Sequence, residues 1–251
     1  MEKALSLQDI SYTYQTLHGE TQSLDSVSFS IKSGEFVAIV GPSGCGKTTL
    51  LNIIAGLIKD YEGELKVTPP VGYMFQKDQL LEWRTIYKNV ILGLEIKQQM
   101  TNENLARVHR MLKRYGLEEF KTSYPRQLSG GMRQRAALVR TLALSPNLLL
   151  LDEPFSALDA QTRIQVSNDI GSIIKDEHIT AVMVTHDLAE AISMADKVLV
   201  LSHRPGHVMR EVEILFHKKD LTPELRRNQP EFKDYFQEIW REINEDKTEQ
   251  S

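Results

Sequence analysis

Residues 36–54, FVAIVGPSGCGKTTLLNII, constrain this chain more than any other stretch. A wholly apolar run ends at Val40, then come Gly41, four residues, Gly46, Lys47 and Thr48, and a helix-forming run begins at once. G-x-x-x-x-G-K-[ST] between a strand and a helix is a phosphate loop. Glycines let the backbone wrap so that several N–H groups point at one anion, and the helix dipole adds to the attraction. Lys47 can reach the β- and γ-phosphates of a nucleotide, and the Thr48 hydroxyl can ligate Mg²⁺. The candidate phosphate-binding residues are Gly41, Pro42, Ser43, Gly44, Cys45, Gly46, Lys47, Thr48 and Thr49. Cys45 reads as a small filler at a position tolerant of most side chains, and its alkylation is expected to block nucleotide binding. A glycine-rich turn with a surface lysine is the bland alternative, and the strand and helix on either side argue against it.

Further short apolar runs, 148–152, 180–186 and 197–202, alternate with helical stretches. That pattern predicts a parallel sheet covered on both faces. Ahead of them, SVSFSIKSG puts Val27, Phe29 and Ile31 on one face of an antiparallel strand. Residues 81–144 read as helices: Leu105, Val108, Leu112 and Tyr115 recur at helical spacing and Gly116 is a stop. Beyond about Thr222 an amphipathic, aromatic-spotted tail is expected to dock on the body, in preference to serving a partner. At 251 residues and 41% hydrophobic the chain can bury a sizeable core. A net charge of −4 argues against nucleic acid as a partner. The apolar runs are too short to span a membrane, the start lacks a signal-peptide layout, and a single cysteine fits a reducing compartment. A cytoplasmic protein is expected, with any membrane role coming through a partner.

The carboxyl ends of the apolar runs carry the chemistry. Asp152 ends one of them, where phosphate-loop proteins hold Mg²⁺. Glu153 is adjacent and, if side chains alternate along the strand, points elsewhere, as a general base on the attacking water. His186 ends the next run at the same edge and is placed to sense the γ-phosphate. Gln76 follows another strand-like run, where its amide can ligate Mg²⁺ or hold the water. A second glycine turn occurs at QLSGGMRQRAAL: Ser129 suits a helix N-cap, and Gly130 and Gly131 allow close backbone approach. It is a second anion site, built on a helix start.

With GPSGCGKTT, MFQKD, LSGGMRQR, LLLLDEPFSALD and VTHD in this order, the chain resembles the ATP-binding subunit of an ABC transporter, up to about residue 220. The resemblance implies an α/β fold: a P-loop NTPase (RecA-like) core with a mainly parallel sheet, an antiparallel β subdomain and an inserted helical subdomain at about 81–144. Residues 1–220 would be the ATP-binding domain and 221–251 a C-terminal helical tail. It implies that Tyr14 stacks on adenine and that residues 156–159, Asp159 among them, line the contact with a second cassette. Ser129, Gly130 and Gly131 would meet the γ-phosphate held by that second copy, giving a homodimer that encloses two ATP molecules with Mg²⁺. The implied partners are integral-membrane permease subunits and an external substrate-binding protein, with the cassette peripheral on the cytoplasmic face of the membrane. LLEWRTIYKNV and LSHRPGHV resemble the importer branch for nitrate, sulfonate, taurine and thiamine precursors, although Glu82 stands where typical relatives carry proline. Competing readings are a soluble ABC ATPase of DNA repair or translation, a P-loop kinase or GTPase, and a non-catalytic binding module. The first should carry coiled-coil insertions or fused cassettes, the second leaves LSGG unexplained, and the third is at odds with Asp152, Glu153 and His186.

Overall fold

The apolar runs are strands because each is buried on both faces and can lose water only between two layers. A computed structural model describes residues 3–17, 19–218 and 221–249. In chain order these form β1 (Lys3–Thr16), β2 (Gly19–Lys32), β3 (Phe36–Val40), α1 (Lys47–Ile54), β4 (Glu62–Val67) and β5 (Val71–Met74). Helices α2 (Ile86–Val90), α3 (Leu92–Ile96), α4 (Asn102–Arg114) and α5 (Gly130–Leu142) follow. Then come β6 (Leu148–Asp152), α6 (Ala160–Asp176), β7 (Thr180–Val184), α7 (Leu188–Met194), β8 (Lys197–Leu201), β9 (Val208–Glu213), α8 (Pro223–Arg227) and α9 (Pro230–Glu249).

The larger sheet has the order β5-β6-β7-β3-β8-β9, parallel except for β9 at its edge. Successive side chains divide between its faces. Val37, Ile39, Leu148, Leu150, Val182 and Val184 enter a core shared with α1 and the antiparallel sheet. Phe36, Ala38, Leu149, Leu151, Ala181 and Met183 enter the core shared with the other helices. Each of the larger side chains, the two alanines excepted, contributes about 1.5–3 kcal/mol by leaving water, so the sheet is the rigid floor on which the site is built.

The smaller sheet, β2-β1-β4, is antiparallel throughout. Val27, Phe29 and Ile31 face inward from β2 as expected. The partly polar strands β4 and β9 carried no periodic apolar signal of their own. Between β5 and β6 the chain is helical, beginning with α2 at Ile86 and ending with α5 at Leu142. Thr85, Thr101 and Ser129 cap α2, α4 and α5 by accepting a backbone N–H, and Gly116 at φ +68 ends α4 as expected.

The tail docks. Ile239 of α9 is fully buried, Phe232, Phe236 and Ile243 pack on the same core, and the helix lies against α7 and β8. Residues 250 and 251, which the tail was expected to include, lie outside the described residues.

Candidate functional site

The loop 41–46 leaves β3 and enters α1 through glycines that nothing else can replace. Gly46 has φ +103, and a Cβ there would lie 2.6 Å from Leu24 Cδ2 and 2.8 Å from the Ser23 carbonyl. Gly41 is as tight: a Cβ would come 2.7 Å from the Leu201 carbonyl. The loop is thus pressed against β2 and β8 while Ser43 and Gly44 stay exposed. Lys47 Nζ donates to the carbonyls of Gly41 and Pro42, both at 2.8 Å, which holds the ammonium inside the curve of the loop.

Two of the candidate phosphate-binding residues, Cys45 in the loop and Thr49 in α1, have buried side chains. Cys45 is 1% exposed and packs in the core beside Leu24 and Leu201. The expectation of a tolerant position open to alkylation is therefore corrected: burial pushes the thiol up from its ordinary range, leaving a structural side chain. Thr49 is likewise buried, its hydroxyl 3.1 Å from Tyr14 Oη and 3.2 Å from Ser23 Oγ. These contacts bring Tyr14 beside α1, with its ring partly exposed and edge-on to Tyr12.

At the end of β6, Asp152 Oδ1 accepts the Thr48 hydroxyl at 3.2 Å. Its Oδ2 lies 3.3 Å from the hydroxyl of Tyr73, whose single proton is shared with Asn52 at 3.1 Å. Burial pushes the Asp152 carboxyl up, and the hydrogen bonds from Thr48 and Tyr73 pull it back. Burial and the Asp152 carboxylate push the Tyr73 phenol up, so it stays a neutral donor. A hydroxyl facing a carboxylate is a hard, all-oxygen donor set that fits a divalent cation such as Mg²⁺. Sequence reasoning missed Tyr73; its signal was only its place in β5, beside the strand that ends in Asp152.

Glu153 faces a different way from Asp152, for a reason other than the one expected. The strand ends at Asp152, and Glu153 adopts φ +44, so a left-handed turn, not strand alternation, aims its carboxylate. Oε2 accepts from Gln76 Nε2 at 3.1 Å, and Oε1 lies 3.2 Å from His186 Nδ1. Ser156, expected only at the contact with a second cassette, donates through Oγ to the Glu153 carbonyl at 3.0 Å and lies 3.3 Å from Gln76 Nε2. His186 stands two residues beyond the end of β7, which is shorter than the expected run. Gln76, Asp152, Glu153 and His186, from three adjacent strands, thus meet at one sheet edge.

Ser129, Gly130 and Gly131 are not part of that cluster. Ser129 Oγ accepts from Met132 N at 3.3 Å as the N-cap of α5. No hydrogen bond or ion pair among the described residues joins this turn to Lys47, Asp152 or Glu153. It rests instead on α6: a Cβ at Gly131 would come within 2.9 Å of Thr162 Cγ2. Asp159 is exposed and caps α6, accepting from Thr162 N at 3.0 Å.

Comparison with known proteins agrees with this geometry. Residues 24–156 match the family model described as ABC transporter. The chain is 43% identical over 248 residues to the uncharacterized ABC transporter ATP-binding protein YtlC of Bacillus subtilis, covering 96% of this chain and 95% of that one. It is 38% identical over 217 residues to the aliphatic sulfonates import ATP-binding protein SsuB of Bacillus cereus, covering 83% and 85%. Among solved structures it is similar to the ATP-binding cassette MJ0796, as a dimer in a post-hydrolysis state bound to ADP and phosphate. That match has a TM-score of 0.73 at 33% identity, covering 84% of this chain and 99% of that one. With a phosphate loop, a carboxylate pair, a histidine and a separate glycine turn on the shared fold, the chain belongs to the ABC transporter family, as an ATP-binding subunit that hydrolyses ATP.

Proposed function

We propose that this subunit powers a membrane importer for a small organic anion, a sulfonate such as taurine or a related solute such as nitrate or a thiamine precursor. One observation carries the mechanism: the catalytic groups gather at one edge of the sheet while the glycine turn at Ser129 is bonded to none of them. A chain that holds two halves of different sites is completed by a second copy, and a head-to-tail homodimer supplies it. The SsuB likeness supports the cargo class, since the similarity continues beyond the nucleotide loops over 217 residues.

In this reading residues 1–220 form the cassette, with a helical subdomain at about 81–144, and 221–251 a tail. Tyr14 stacks on adenine. The loop 41–46 and Lys47 hold the β- and γ-phosphates, with Thr48 and the Thr49 backbone at the helix start. Thr48 and Asp152, with Gln76 in reach, would hold Mg²⁺. When bound, that ion supplies positive charge to the phosphate oxygens. Glu153 takes a proton from water as its oxygen bonds to the γ-phosphorus and the bond to the ADP oxygen breaks, releasing ADP and phosphate. Gln76 and His186 hold the Glu153 carboxylate and the water in line. Ser129, Gly130 and Gly131 of the second copy close over the γ-phosphate, and residues 156–159 line the contact between copies.

Closure and opening of the dimer are passed to integral permease subunits, with an external binding protein delivering the solute. Among the described residues no helix is long and apolar enough to cross a membrane, which suits a peripheral place on the cytoplasmic face. Deletion of the gene is expected to abolish growth on an aliphatic sulfonate as sole sulfur source and to spare growth on sulfate. Capture of the subunit from membranes should bring down an integral permease. Ribosomes or DNA in its place would overturn the transport reading.

A further inference from the structure

Arg163 lies in the first turn of α6, four residues after Asp159, and nothing above gives it a role. Its guanidinium reaches three places. Nη2 donates to the Leu158 carbonyl at 3.2 Å, Nη1 lies 3.3 Å from Asp187 Oδ2, and Nε lies 3.7 Å from Glu190 Oε1. Glu190 is only 3% exposed, an unusual place for an acid. Its Oε2 accepts the Thr185 hydroxyl at 2.7 Å, and the same hydroxyl accepts Asp187 N at 3.0 Å. Thr185 and Asp187 are the two chain neighbours of His186. Both flanks of that histidine are therefore fixed by one network with Arg163 at its hub. Burial and the nearby Asp187 carboxylate push the Glu190 carboxyl up, while Thr185, Arg163 and His186 favour its charged form.

The other end of the network reaches the glycine turn. Leu158, whose carbonyl Arg163 holds, lies where a Cβ on Gly130 would come within 3.2 Å of its Cδ2. Gly131 rests on Thr162 and Val166 of the same helix. A continuous path thus runs from the turn at 129–131, through Leu158 and Arg163, to Thr185 and Asp187, and on to His186 and Glu153.

We propose that Arg163 is a positioning residue that ties the surface facing the second cassette to the histidine facing the chain's own nucleotide. The inference rests on the roles proposed above for His186 and Ser129. Arg163 touches none of the phosphate-holding groups, so it acts through the His186 segment. A double-mutant comparison measures the coupling along this path. A planar fork can meet a carbonyl and two carboxylates together, and a lysine cannot.

The test uses the full-length chain, with steady-state and single-turnover ATP hydrolysis beside thermal unfolding. Arg163→Ala, or Arg163→Lys if the alanine variant loses its fold, is expected to lower kcat about tenfold or more, since small misplacements of catalytic groups have effects of this size. KM for ATP should stay within about twofold, because nucleotide binding is left intact. In a His186→Ala background the same change should slow the residual rate by less than about twofold. Parental kcat in the Arg163 variant, or an equal loss in both backgrounds, would overturn the proposal, and a lower unfolding temperature alone would mark a merely structural arginine. His186→Ala turning over at the parental rate would instead remove the histidine's own role, so the two failures are told apart.

Discussion

Glu153 is held in a left-handed conformation, at φ +44, that costs a non-glycine residue on the order of 1–3 kcal/mol. Partners on both carboxylate oxygens, Gln76 and His186, and Ser156 on its carbonyl over-determine that geometry. Glu153→Gln keeps the shape and removes the proposed base. It is expected to lower kcat by about 10²–10⁴ while equilibrium ATP binding stays within a few-fold, as filter binding and phosphate release would show. Gly46→Ala has the opposite signature. Its Cβ would strike Leu24 and the Ser23 carbonyl at φ +103, so ATP binding itself is lost and the unfolding midpoint falls in calorimetry. The glycines and acids were legible because their spacing carries the chemistry. The aim of Glu153 was not, because the turn after Asp152 is set by contacts with Val184 on the neighbouring strand β7 and with Ser156 beyond the strand end.

Among the elements, α9 shows how a charged helix is pinned. Ile239 fills the core, the Tyr235 hydroxyl bonds the backbone of Leu215, and Arg210 of β9 pairs with Glu238 and Glu242. At the helix start, Glu231 accepts from His217 N at 3.0 Å and also meets the His217 ring. Those hydrogen bonds hold its carboxyl down to about 2, against an ordinary value of 4.5. A depressed carboxyl stabilises the fold above its unfolded value, and that contribution is lost as pH falls from 4.5 towards about 2. Glu231→Gln should therefore unfold at a lower temperature than the parent near neutral pH, with the gap closing across that acid range in pH-dependent calorimetry. An equal gap at every pH would count against it. The tail's amphipathic face was readable from the spacing of its aromatics. Which surface it covers was not, since α7 and β8 meet it only in the folded molecule.

At the scale of the whole molecule, the separation of the Ser129 turn from the Lys47 loop is the feature with most consequence. The turn sits on α5 and rests on the start of α6, while the loop is pressed against β2 and β8. Ser129→Arg is expected to leave ATP binding by the isolated chain nearly unchanged and to abolish hydrolysis. In size-exclusion chromatography Glu153→Gln should accumulate as a dimer with ATP, and the Ser129→Arg, Glu153→Gln double variant should remain monomeric. A monomer that turns over at the parental rate would refute the composite site.

The sequence by itself determined the phosphate loop, the apolar strands of the parallel sheet, the helical insertion and the identity of the acid and histidine candidates. These follow from local rules: glycine's freedom, strand and helix periods, and the chemistry a phosphate demands. Tertiary structure alone decided that Cys45 and Thr49 are buried, that Tyr73 steadies Asp152, and that Arg163 joins two loops distant in sequence. Those outcomes depend on which strands become neighbours in the sheet order β5-β6-β7-β3-β8-β9. Such neighbours are chosen by the burial of the whole core and leave no mark on the spacing of any single segment.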